Sequence, residues 1–275
     1  MAYAAILNDR SVIALSGAET RDFLQGLITN DMALCVPGKA IYTALLTPQG
    51  KILFDFFVAG RGDAFLIDCA KERANDLVKR LTMYRLRAKI EIALRQDIAV
   101  ASVWNGATLS SPLSYADPRL PALGQRLMGP REEVASAMKG ITLGDYSALR
   151  LSLGVPDSAD LPPDNVLALD AGFEELNGVA FKKGCYVGQE VTSRMKHRAT
   201  ARKRFVLAKT QGTIPPQGTG IVANGIEIGT LASGKGEIAL ALVRLDRLDE
   251  ALAKGAAIAA AGQTLSLRKP EWLHA

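Results

Sequence analysis

The stretch FKKGCYVGQEVTSRM, residues 181–195, sets one cysteine between a pair of lysines and a run able to start a helix. Gly184 and Gly188 bracket Cys185, Tyr186 and Val187, and the residues from Gly188 onward are helix-compatible. A thiol at or just before a helix N-terminus, with Lys182 and Lys183 beside it, meets two influences that favour the thiolate: the helix dipole and nearby positive charge. The alternative is a buried cysteine serving as a small hydrophobe. Nucleophilic catalysis would also call for a base, and no spacing ties either His197 or His274 to Cys185. Glu190 and Arg194 stand at i, i+4, which suits an exposed helix salt bridge. The same pair suits a planar ligand. A carboxylate accepts two N–H donors of an amino-substituted heterocycle, arginine grips a carboxylate, and Gln189 adds one donor and one acceptor.

Other chemistries find less support. Cys35, Cys69 and Cys185 lie far apart, no CxxC occurs, and the chain has only two histidines. That argues against a disulfide scaffold and against a self-contained metal site. Net charge is a modest +5, but Arg194, Lys196, His197, Arg198, Arg202, Lys203 and Arg204 crowd one segment. Such a field suits carboxylates, phosphates or nucleic acid, and equally a solvated loop.

The elements that must position these residues follow from patterning. At 275 residues and 48% hydrophobic the chain can fill two or three domains. Aromatics make up only 6%, so aliphatic side chains must build the interior. No apolar run approaches the roughly 20 residues that span a bilayer, and the N-terminus lacks the pattern of a signal or transit peptide. A soluble cytoplasmic protein is expected. Val12–Leu15 reads as a strand, and SGAE at 16–19 as a capping box opening a helix that Asn30 stops. AIYTALLT and KILFDFFVAG flank Pro48-Gln49-Gly50 as a hairpin. Asp68 to Tyr84 reads as a helix, KIEIAL as a strand, and 104–130, with four prolines, as an irregular connection. Helices are expected at 131–139 and 145–153. Beyond Arg204, short strand-like pieces between Gly-rich turns indicate a small β-barrel or sandwich. The fold class is α+β.

FKKGCYVGQEVTSRMKHRATARKR resembles the signature of the YgfZ family, K-G-C-[FY]-x-G-Q-E followed by a basic segment, through Lys183, Gly184, Cys185, Tyr186, Gly188, Gln189, Glu190 and Arg194. FLQGLITNDM, TPQGKILFDFFV, DPRLPALGQR and RLSLGVPD resemble further family segments in the expected order, so the likeness covers most of the chain. Leu161-Pro162-Pro163-Asp164 departs from it. The family is related to the glycine-cleavage T-protein, a tetrahydrofolate-dependent aminomethyltransferase. The resemblance implies a GcvT-like three-domain ring around a folate-binding channel. It has two interleaved α+β units (1–45 with 131–203, and 46–130) and a C-terminal barrel over 204–275. It further implies a tetrahydrofolate or derivative as cofactor, and a role in assembling or maintaining iron–sulfur clusters in client enzymes, tRNA-modifying enzymes among the candidates. Cys185 and Lys183 carry the chemistry in that reading, whether one-carbon, redox or sulfur–metal. Glu190, Gln189, Arg194, Tyr186 and Asn30 would contact the folate, with Tyr146 and Arg10 standing where relatives can place aromatic residues. An accessory factor is expected, with neither membrane nor DNA as partner. Two other readings share parts of this pattern. A true aminomethyltransferase would have the same fold and folate, but its pattern usually lacks KGCYxGQE. An RNA-binding module would use the basic run, although no aromatic-rich reader motif accompanies it.

Overall fold

The computed structural model of the protein describes residues 1–62, 64–106, 108–109 and 114–273. His274, and Pro112 among the four prolines of 104–130, lie outside the described residues.

Strict alternation of side chains along the strands decides the architecture. Val12 and Ala14 of Arg10–Ser16 face one hydrophobic cluster, while Ile13 and Leu15 face another. Ala40–Leu46 divides likewise, as does Ile52–Arg61, where Phe57 and Ala59 oppose Phe56 and Val58. These strands are buried on both faces, which is why AIYTALL and ILFDFFV are almost continuously apolar. Together with Ala64–Ala70 and Glu91–Arg95 they form an antiparallel five-stranded sheet. Helix Ala74–Arg85 covers its outer face with Leu77 and Leu81.

A second five-stranded sheet is built from Tyr3–Ile6, Ile98–Trp104, Ser114–Ala116, Gln125–Pro130 and Thr142–Leu143. Val100 and Met128 turn toward the first sheet, while Ala99, Ala101 and Val103 pack under helix Arg131–Ala137 through Val134. The N-terminal strand thus pairs with residues near 100, and the first sheet is an insertion between them. A division at 45/46 would cut the hairpin that joins Ala40–Leu46 to Ile52–Arg61, two strands paired along their length, so sheet membership draws the two α+β units instead. The third unit is a seven-stranded sheet from Lys203–Lys209 onward with its own aliphatic core. Its terminal strands, Gln263–Thr264 and Ser266–Arg268, are separated by Leu265 alone, so the sheet nearly closes as a barrel.

The chain then returns to the first half. Pro270 fills the place beside Gly154, where a Cβ would stand 2.7 Å from it, and Trp272 lies against Gly172 in the same way at 2.8 Å. The Trp272 indole N–H donates to the Leu153 carbonyl at 2.9 Å.

Two sequence expectations give way to tertiary demands. The SGAE capping box is not formed. Helix Thr20–Gln25 begins at Glu19 without a side-chain cap, and the Glu19 carboxylate accepts the Lys89 backbone N–H instead, at 2.7 Å. Asp68 does not open a helix. It lies within strand Ala64–Ala70, paired opposite Val12. The reason is ionic. Asp68 is buried between the sheets and accepts from Arg10 at 2.6 Å and from Arg126 at 2.6 and 3.0 Å. Asp117 accepts two bonds from the Arg119 guanidinium, at 3.0 and 2.8 Å, and a third from the Arg119 backbone N–H, with Arg126 3.7 Å away. All three guanidinium groups lie over the Phe57 ring. Arg150 joins this half to the barrel, donating to Asp160 at 2.7 Å and to Ser233 at 2.8 Å. The irregular connection expected over 104–130 contains strands that supply Arg126 and frame Asp117.

Removing one member of a buried ion pair leaves the other charge stranded, at about 3–5 kcal/mol. Asp68→Ala is therefore expected to lower unfolding free energy in urea by about that amount, whereas Asp97→Ala in the exposed Arg95–Asp97 pair leaves the midpoint nearly unchanged. Burial alone would raise the Asp68 carboxyl, but Arg10 and Arg126 outweigh it and hold it below its ordinary value. The unfolded chain thus binds this proton first. Stability attributable to Asp68 is full above the ordinary aspartate range, near pH 4. It should decline as pH falls through that range toward the folded value, which equilibrium unfolding at a series of pH values would record.

Candidate functional site

The motif loop is fixed from two sides. Gly188 sits at φ 83°, and a Cβ there would come within 2.5 Å of the Thr47 carbonyl. Gly50, at φ 77°, brings the hairpin turn against Val191 in the same way. Only glycine tolerates both the left-handed backbone and the close approach, so the hairpin seats the start of helix Gln189–Arg198. The other anchor is Lys183. Its ammonium has three N–H donors, and these go to the carbonyls of Gln25, Ile28 and Asn30 at 2.7, 2.5 and 2.9 Å. Burial pulls this amine down to about 8, with Asp31 opposing the shift, and the ammonium also lies 5.1 Å from the Tyr186 ring centroid.

Lys183 is therefore a buried clamp rather than a free cation beside the thiol, because its donors are used within the chain. Cys185 itself is exposed in the loop leading into the helix. Cys35 and Cys69 are buried, and burial pushes their thiols up to about 11 and about 12. Tyr186 is buried, and its hydroxyl, pushed up to about 12 by burial, has no hydrogen-bond partner among the described residues. On the helix, Val191, Thr192 and Met195 turn inward, and Glu190, Arg194, His197 and Arg198 are exposed. Glu190 and Arg194 form no ion pair, contrary to the salt-bridge reading, and both remain available to solvent. Gln189 is half-buried, its N–H donating to the Tyr186 carbonyl.

The structure groups the expected folate residues differently. Asn30 lies with Lys183, but its amide donates to the Tyr42 and Asn177 carbonyls and accepts from Asp31 N–H. Arg10 and Tyr146 meet in the ionic cluster at the centre. Arg10 gives its donors to Asp68 and Ser158, while the Tyr146 hydroxyl accepts from Arg119 at 2.8 Å and from Arg126 at 3.3 Å and donates to Asp117. These three side chains are committed internally. The cluster leaves only a 40 Å³ pocket at the centre, where an open channel was expected. Beside it lies a cavity of about 640 Å³, walled by Arg10, Lys71, Glu72, Asp157, Ser158 and barrel residue Ser233. Glu190, Gln189 and Arg194 do not line it.

Asp55, Asp68, Asp117, Arg119 and Arg126 escaped the sequence reading. A signal existed: Asp55 and Asp68 interrupt apolar strand runs, and a buried carboxylate demands a partner. Asp55 accepts from the Tyr42 and Ser158 hydroxyls at 3.1 and 2.6 Å.

Residues 202–275 match the model of the CAF17 C-terminal beta-barrel domain. The chain is 30% identical to the mitochondrial iron–sulfur cluster assembly factor IBA57 of Mus musculus, covering 88% of this chain and 77% of that protein. It is also 30% identical to human IBA57, covering 97% and 84%. The aminomethyltransferase T of the glycine cleavage system from Bartonella henselae superposes with a TM-score of 0.76 over 99% of this chain and 86% of its own, at 17% identity. That likeness establishes the aminomethyltransferase-type fold. The cytoplasmic assignment does not stand, since these IBA57 relatives are described as mitochondrial. Among the described residues, no helix is long and apolar enough to cross a membrane, and no three histidine, cysteine or acidic side chains gather to hold a metal.

Iodoacetamide should label Cys185 far faster than the other two thiols at neutral pH. Burial, by raising the Cys35 thiol to about 11, lowers its thiolate at neutral pH roughly a hundredfold, and the same burial keeps the reagent from the sulfur. Equal slow labelling of all three cysteines by mass spectrometry would contradict this placement.

Proposed function

The chain belongs to the IBA57 family of iron–sulfur cluster assembly factors, related to the YgfZ family that its motif resembles, and we propose on that premise that it binds a tetrahydrofolate and uses Cys185 to assist cluster assembly or maintenance in client enzymes. The observation that carries the proposal is the placement of the thiols. Of three cysteines, one is exposed, and it stands in the motif loop held by Lys183 and Gly188. The cluster is cargo here. A lone sulfur supplies one iron ligand, so the remaining ligands belong to the donor or client, and the contact is suited to transfer rather than storage.

The folate is best accommodated in the 640 Å³ cavity, within the range of small-molecule sites. Asp157, on its wall, is already met by Arg150 at Oδ2 and by the Ala159 N–H at Oδ1, so only its remaining lone pairs can accept N–H donors of an amino-pterin, while Lys71 can hold tail carboxylates. Tetrahydrofolate supplies one-carbon chemistry when bound. The chain's part is to orient it between the first sheet and the barrel, with Arg10 fixed by Asp68 as a rigid wall.

The test combines two measurements. In cells that depend on this chain for a reporter iron–sulfur enzyme, Cys185→Ser should abolish maturation while the purified variant keeps the wild-type melting temperature. Calorimetry with tetrahydrofolate should show binding that Lys71→Glu weakens roughly tenfold, the scale of one lost charge-assisted contact. Full maturation by Cys185→Ser would refute the thiol reading, and absence of binding to the intact chain would refute the folate reading.

A further inference from the structure

Helix Ala74–Arg85 ends in a strained turn. Leu86 caps it at φ 48° and ψ −105°, a left-handed backbone that favours glycine. The side chain held there is 85% exposed, and Met83, within one helical turn of it, is 66% exposed. Neither serves the core, which the helix meets through Leu77 and Leu81. Nor is the turn loose. The Ala88 N–H donates to the Arg85 carbonyl at 2.8 Å and the Ile90 N–H to the Ala88 carbonyl at 3.0 Å. The Arg85 guanidinium donates to the Ile90 carbonyl at 3.0 Å. Two apolar side chains are thus carried rigidly into solvent, one of them at a cost in backbone strain.

The charge around them has one sign. Residues 79–90 read KRLTMYRLRAKI, five cations and no acid. Lys79 stands four residues before Met83 on the outward side of the helix, and Arg87 and Lys89, which follow Leu86, are exposed. Lys79 meets Asp76 at 3.7 Å, while the Glu19 carboxylate accepts the Lys89 backbone N–H and Glu91 follows two residues later. Cations still outnumber acids here. The helix dipole favours a cation at this end, which accounts for Arg85 but not for the bare leucine beside it.

We propose that this helix end seats the protein on an anionic lipid surface. Leu86 and Met83 enter the boundary between headgroups and acyl chains, and Lys79, Arg87 and Lys89 meet lipid phosphates. This differs from the expectation of no membrane partner, which rests on the lack of a spanning segment; a surface contact needs none. Lipid suits the site better than RNA. Base stacking needs exposed aromatic rings, whereas Tyr84 is half-buried with Arg80 over its ring. Apolar tips ringed by cations match an interface that is apolar within and anionic at its rim.

The test is flotation of the purified chain with vesicles of equal parts phosphatidylcholine and phosphatidylglycerol, set against vesicles of phosphatidylcholine alone. Two double variants are compared, Leu86→Asn with Met83→Gln and Arg87→Glu with Lys89→Glu, with melting temperature as control. The intact chain should float with the anionic vesicles only, and added salt should release it. Each double variant should keep the wild-type melting temperature, since asparagine accepts the left-handed backbone, yet bind anionic vesicles roughly tenfold more weakly. No flotation of the intact chain, or equal flotation with neutral vesicles, would overturn the proposal. Undiminished binding by either variant would also overturn it, because insertion and charge are both required. Unfolding of the apolar variant would refute the claim that the core does not need these side chains. Binding of purified transfer RNA without flotation, lost on charge reversal alone, would assign the surface to nucleic acid instead.

Discussion

The pairing of Arg126 with Asp68 across the two sheets is the contact on which the remaining architecture depends. Each charge comes from a largely apolar strand and is removed from water, so each requires the other in place. Arg10, Arg119 and Asp117 complete the set, and the ring of Phe57 separates it from the core below. Charges held this way fix how the sheets meet, since a one-residue slip in either strand would turn its charged side chain to the opposite face. They also fill the centre. Only a small pocket remains there, and the larger cavity lies beside it, at the junction with the barrel.

The motif loop obeys a second constraint of the same kind. Lys183 gives its ammonium to three carbonyls near the end of the first helix, and Gly188 lets the hairpin turn close on the motif helix. The thiol is thereby presented by a rigid surface rather than by a flexible tether. Residues adjacent in sequence have opposite fates: Lys182 faces solvent and Lys183 is consumed in holding the loop.

Much of this was legible in advance wherever local pattern and tertiary structure agree. The hairpin around Pro48-Gln49-Gly50, the helix that stops at Gly154 and the run of short strands after Arg204 all follow their sequence signals. Asp68 shows the opposite case. Its helical surroundings were plausible locally, and a partner 58 residues away decided otherwise. Arg10, Tyr146 and Asn30 were identified as special, but their bonding is internal, which residue type alone does not reveal. The i, i+4 spacing of Glu190 and Arg194 likewise permits a bond that the structure does not make. Spacing along a helix limits which side chains can meet, while the fold decides which of them do.

The return of the chain after the barrel has a consequence for the order of assembly during synthesis. Trp272 and Pro270 occupy places beside Gly172 and Gly154, and the Trp272 indole bonds a carbonyl 119 residues earlier. Residues synthesised after the barrel thus finish a surface begun much earlier, and contacts of such long sequence separation are slow to form. Until they emerge from the ribosome, Val155 and Leu176 lack their covering, and the nascent first half waits with an apolar patch that a chaperone can recognise.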